Sequence, residues 1–184
     1  MRRPNSALQR TRLRSPLSAV SLDRRMTRTS ILHEAVAVCV RHLKRLGGDP
    51  RALPVRERTV IVITTAQGII DNGGFQYFFE SDFPRRPPYS VFIAAYRRIG
   101  ALRAATCLER AVGMFPFARP HLSQHRRNQF MDSLPRKSRF FSLGFHVCGD
   151  DSVWSKLDRY IQANEQAFGL RSNPALQRTR SARR

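Results

Sequence analysis

An all-α, single-domain fold of six or seven helices is what the sequence predicts, and three observations predict it. Apolar residues recur at three-and-four spacing in one window after another. Proline or glycine closes most of those windows. With 184 residues, 41% of them hydrophobic, the chain is long enough for one domain with a proper core.

The first helix is carried by Ile31, Leu32, Ala35, Val36, Cys39, Leu43 and Leu46, and Gly47-Gly48 supplies its stop. The second spans the window Pro54 to Ile70. There Val55, Thr59, Val62, Ala66 and Ile69 keep a helical face, although Thr59 to Thr65 is entirely β-branched and by propensity alone would be a strand. Phe75, Phe78, Phe79 and Phe83 then fit a short helix, with a hairpin across Asn72-Gly73 as the competing structure. After Pro87-Pro88, Tyr89, Phe92, Ile93, Tyr96 and Ile99 predict a helix with Ser90 as its cap and Gly100 as its end. Ala101, Ala104, Ala105, Leu108, Ala111, Val112 and Phe115 line the next, and its small alanines allow a neighbouring helix to come close.

A charged helix is expected over His121 to Leu134, and Phe140 to Val147 is read as extended, because it lacks a helical stripe and lies between Pro135 and Gly149. The last helix carries Val153, Trp154, Leu157, Tyr160, Ile161 and Phe168, with Asp150, Asp151 and Ser152 placed to cap its N-terminus.

The formal net charge is +20, and it is unevenly spread. Residues 1–28 hold eight arginines and one aspartate, residues 171–184 hold five arginines and no acid, and the intervening domain, 29–170, carries 20 bases against 12 acids. Both tails are expected to be disordered. They share an octapeptide, NSALQRTR at Asn5 and NPALQRTR at Asn173, which reads as a repetitive element translated on each side of the gene, with Met26 as the start. The functional alternative is a pair of arginine-rich arms that grip nucleic acid. Net charge speaks to association rather than to fold. All but three of the 33 bases are arginine, a skew that a GC-rich coding strand also produces.

Cys39, Cys107 and Cys148 are odd in number, widely spaced and without a CxxC, which fits a reducing cytoplasm better than a disulfide framework. No stretch approaches the roughly 20 apolar residues that cross a bilayer. The expectation is a cytoplasmic protein with no membrane partner.

The most particular segment is Ile70 to Pro84, IDNGGFQYFFESDFP, in which two glycines release the backbone from Cβ strain directly before an aromatic cluster. Its order of residues, together with YSVFIAAYRRIGALRAATCLERAVGMFP and DDSVWSKLDRYIQAN, resembles a bacterial domain family named after a DNA-mimic protein, over roughly residues 55–168. The motif positions are Asn72, Gly73, Gly74, Phe75, Phe78 and Phe79, then Ile99, Gly100 and Ala101, and finally Trp154. The resemblance implies a mostly helical domain without cofactor that acts by protein–protein contact rather than catalysis. The family's named activity is occupation of a transcription regulator's DNA-binding face by an acidic member. Here the basic surplus would repel such a face, leaving only a local strip of Glu80, Asp82, Asp150, Asp151 and Asp158 for that role.

Residue chemistry adds candidates. Arg119, Arg126, Arg127, Arg136, Lys137 and Arg139 gather positive charge beside Phe140-Phe141, the combination that tracks phosphates and stacks bases, and they carry the nucleic-acid alternative. His121 and His125 stand at a zinc-compatible spacing but lack a third ligand, and His146 beside Cys148 lacks an orienting group. Asp71-Asn72 before the glycines reads as a helix end and turn rather than an anion nest. The expected function is a non-enzymatic interaction module for a protein partner, a second copy of the chain included.

Overall fold

In the computed structural model, which describes residues 31–170, a single apolar helix forms the axis of the domain. This is α2, Val55–Glu80, whose buried residues lie on all sides of it: Val60, Ile61, Val62, Ile63, Ala66, Ile70, Phe75, Phe78 and Phe79. A helix apolar all round must be covered all round. α1 (Ile31–Arg45), α3 (Tyr89–Arg98), α5 (Gln124–Asp132), α6 (Arg139–Phe145) and α7 (Asp151–Gln162) all pack on it, and α4 (Leu102–Val112) pairs with α3 and α6. Enclosure explains why the β-branched run is helical. Side-chain burial against several neighbouring helices outweighs the few tenths of a kcal/mol per residue by which Val, Ile and Thr disfavour helix.

Among the described residues there are seven α-helices, short 3₁₀ turns and no strand. The two Arg-rich tails and their shared octapeptide lie outside the described residues. No described helix is long and apolar enough to cross a membrane.

Three local expectations are corrected. Residues 140–147 are not extended, because Phe140, Leu143 and Gly144 form a buried i, i+3, i+4 face and residues 139–145 close into α6. Gly144 permits the approach of α6 to α2: a Cβ there would stand 2.8 Å from the Phe75 backbone nitrogen. Ser90 does not cap α3, since the helix begins one residue earlier and Pro88 occupies the cap position. The charged helix predicted over 121–134 is shorter, preceded by a 3₁₀ turn at Pro120–Leu122, and Ser123 caps α5 by accepting from the Arg126 amide at 3.4 Å.

The glycine pair makes neither a hairpin nor a simple helix end. Gly73 (φ −164°, ψ 22°) and Gly74 (φ 61°, ψ −155°) kink α2 while its ladder resumes at Phe75. The Gly74 conformation belongs to a region that only glycine occupies readily. By re-aiming the last turns, the kink delivers Phe75, Phe78 and Phe79 into one aromatic cluster. Phe78 meets Phe79, Phe83 and Phe92 at ring-centroid distances of 5.1, 5.4 and 5.2 Å, and Phe79 meets Phe115 at 5.1 Å and Phe140 at 5.3 Å.

Candidate functional site

The motif residues are interior. Phe75, Phe78, Phe79, Ile99 and Ala101 are buried, while Gly100 closes α3 with a left-handed backbone. Asn72, exposed like Gly100, donates its amide to the Gly68 carbonyl one turn back. Trp154 is half-buried and donates its indole N–H to Asp71 Oδ2 at 2.9 Å. The other Asp71 oxygen accepts from Gln67 Nε2 at 2.7 Å and from the Gly149 amide at 2.9 Å. Gln67, wholly buried, also donates to the Val147 carbonyl at 2.9 Å and accepts from the Tyr96 hydroxyl at 3.0 Å. Every polar atom of that amide is therefore used, which makes the junction of α2, α3 and the α6–α7 connection specific. Sequence reasoning passed over Gln67. Its signature was visible all the same, as a polar amide inside the most apolar stretch of the chain.

The basic group of residues 119–139 is not wholly on the surface. Arg127 is 1% exposed, and its guanidinium donates from Nε to the Phe79 carbonyl at 2.6 Å, from Nη1 to Pro120 at 2.8 Å and from Nη2 to Ser81 at 3.1 Å. It closes the C-terminal end of α2, whose last carbonyls lack partners within the helix, and is thus removed from any phosphate-tracking patch. Arg119 and Arg126 lie toward the start of α5, where Arg126 stacks over Phe117 at 4.1 Å. Arg136 and Lys137 are exposed beyond its other end, and Arg139 opens α6.

The remaining chemistry-bearing residues are placed as follows. His121 is half-buried, edge-on to Tyr89 with ring centroids 6.4 Å apart, and burial together with Arg119 and Arg127 holds its imidazole below the ordinary histidine range. No group of three or more His, Cys, Asp or Glu among the described residues is arranged to hold a metal ion. Asp150 caps α7 through the Ser152 amide at 3.0 Å, as its position predicts. Glu80 ends α2 and Asp82 follows it, paired with Arg86 at 3.5 Å, while Asp150, Asp151 and Asp158 belong to α7 and its cap.

A different feature emerges between α4 and α6. Arg103, Thr106, Cys107 and Arg110 on α4 face Arg139, Ser142, Leu143 and His146 along α6 and its cap. Both sets follow i, i+3, i+4, i+7, one stripe on each helix. Between them runs an open groove of about 550 Å³, with Leu102 as its ninth lining residue and none of the nine acidic. Arg103 donates to His146 Nδ1 at 2.9 Å, which places the ring proton on Nε2. Among the described residues none of Arg103, Arg110 and Arg139 pairs with a carboxylate, whereas neighbouring Glu109 is taken by Arg97 at 2.7 Å. Burial raises the Cys107 thiol and outweighs the opposing pull of Arg103 and Arg110, so the groove holds a protonated thiol rather than a nucleophilic thiolate. The α4 stripe was legible as the face opposite the alanines. Its counterpart was hidden by reading 140–147 as extended.

The described residues thus form an all-α domain with a cationic surface groove. Residues 51–168 match the family described as DMP19-like protein, and the chain belongs to that family. Neither a curated protein nor a solved structure matches it.

Proposed function

We propose that the protein is a non-enzymatic interaction module of the DMP19-like family that engages a protein partner through the α4–α6 surface. One observation carries this reading. Phe145, 77% exposed, and Leu102, 63% exposed, are the two most exposed large apolar side chains among the described residues; Leu102 lines the groove, and Phe145 directly precedes the lining residue His146. Scattered apolar residues on a surface are ordinary, but the two most exposed ones falling on the pair of helices that wall one groove favour a contact site there. DNA mimicry is disfavoured for this chain by its 20 bases against 12 acids over residues 31–170.

The test is a photo-crosslinking phenylalanine placed at position 145 of the full chain in its own host cell, with Gln162, exposed on α7, as the control position. Adducts to one protein at 145 and not at 162 support the reading. Adducts only to nucleic acid, or none, reject it.

A further inference from the structure

We infer that the α4–α6 groove takes an acidic segment of the partner protein, a carboxylate-bearing stretch with one apolar side chain. This rests on the protein-partner reading of that surface.

The two ends of the groove differ. The Arg103–His146 bond pins one end. Arg110 and Arg139 lie seven residues along their own helices from that bond, about 10 Å at 1.5 Å per residue, and belong to the other end. Leu102 lines the groove beside Arg103, so an exposed apolar side chain stands at the pinned end, and the exposed Phe145 adjoins His146 in the chain there. One end is therefore apolar with a single guanidinium already engaged by an imidazole. At the other end two guanidiniums have no carboxylate partner among the described residues.

Like charges brought together without counter-charge favour a ligand that supplies it. About 10 Å corresponds to roughly three residues of extended chain, the distance from an apolar side chain at the mouth to a carboxylate between Arg110 and Arg139. Arginine suits this role because its planar fork matches a carboxylate in bidentate fashion. Thr106 and Ser142, midway along the two walls, offer hydroxyls to the backbone that crosses them.

The experiment uses the full chain and a fluorescein-labelled dodecapeptide in which a Leu-Phe pair is flanked by glutamates, with its all-glutamine counterpart and a short DNA duplex as the other arms. R110E/R139E is compared with R41E/R126E, which removes the same charge from exposed positions on α1 and α5. The inference expects R110E/R139E to weaken the acidic peptide at least about tenfold, the scale of one charge pair. R41E/R126E should change it by about threefold or less, and the glutamine peptide should bind at least about tenfold more weakly to wild type. Should R110E/R139E lose its fold, R110Q/R139Q takes its place.

Equal weakening by both double variants would assign binding to the diffuse field and overturn the inference. So would equal binding of the two peptides, or a larger effect of R110E/R139E on the duplex than on the peptide. A crosslinked protein at position 145 combined with failure of the acidic peptide would leave the protein-partner reading standing and reject this one. Peptide binding without any protein crosslink would reject the protein-partner reading and, with it, this inference.

Discussion

Trp154 on α7 donates to Asp71 Oδ2 on α2 at 2.9 Å, while Asp71 Oδ1 accepts from Gln67 and from the Gly149 amide. One carboxylate thereby fastens the loop between α6 and α7 to the middle of the central helix. Asp71→Ala leaves three donors without their acceptor and is expected to cost about 2–4 kcal/mol, given ~1–3 kcal/mol for each buried donor left unpaired and the partial access of water to this one. Urea unfolding of Asp71→Ala, Trp154→Phe and the double variant checks it. A coupling energy above about 0.5 kcal/mol is expected for residues that share one bond.

Phe78 is wholly enclosed and meets four other aromatic rings, Phe79, Phe83, Phe92 and Tyr89, the last at 5.7 Å. Phe78→Ala should lower the unfolding free energy by about 3–5 kcal/mol, measured by denaturant titration. A loss near zero would mean that the ring is a contact surface instead of core.

Arg126 and Arg127 are adjacent in sequence and opposite in environment. Arg127→Ala strands three carbonyls and is expected to cost about 3 kcal/mol or more, whereas Arg126→Ala removes only a stacking contact on Phe117, worth about 1 kcal/mol or less. Arg127→Lys should recover little, since an ammonium cannot spread three donors over the same fork. Urea midpoints of the three variants give the comparison.

Gly74→Ala must hold an alanine at φ 61°, ψ −155° and is expected to cost about 1–3 kcal/mol. Gly144→Ala adds a Cβ 2.8 Å from the Phe75 nitrogen and should destabilise by a similar amount through displacement of α6. Thermal unfolding of the two single variants measures both.

Alkaline pH should unfold the protein. Burial, reinforced by Glu57, raises the Cys39 thiol from an ordinary value near 9 to about 12, and burial likewise raises Tyr89 and Tyr96. A group whose native value is raised stays protonated in the fold while the unfolded chain releases its proton. Stability is therefore full below about pH 9 and falls progressively toward pH 12. Urea midpoints across that window should decline, and Cys39→Ala should flatten part of the slope relative to its own neutral value.

Much of the fold was legible from residue order. The three-and-four apolar spacing in 31–45, 89–98, 102–112 and 151–162 gave those helices within a few positions, since each buries one face and leaves the other in water. Helix boundaries set by proline and glycine were equally readable, because those residues act on the backbone locally. The α6 segment was not. Its buried face is only Phe140, Leu143 and Gly144, too short for a period to emerge, and its helicity depends on the seat that α2 offers at Phe75.

By itself, then, the sequence determined the helical class, the placement of most elements, the family motif as interior and the sign of the charge. All of these follow from local backbone preferences and from summed composition. Tertiary structure alone decided which arginines are free. Arg127 is drawn inside by the distant carbonyls of Phe79 and Ser81 together with the nearby Pro120, while Arg103, Arg110 and Arg139 are brought to one groove by the pairing of α4 with α6. A side chain's role in binding depends on neighbours far away in the chain, and residue order does not state which neighbours those will be.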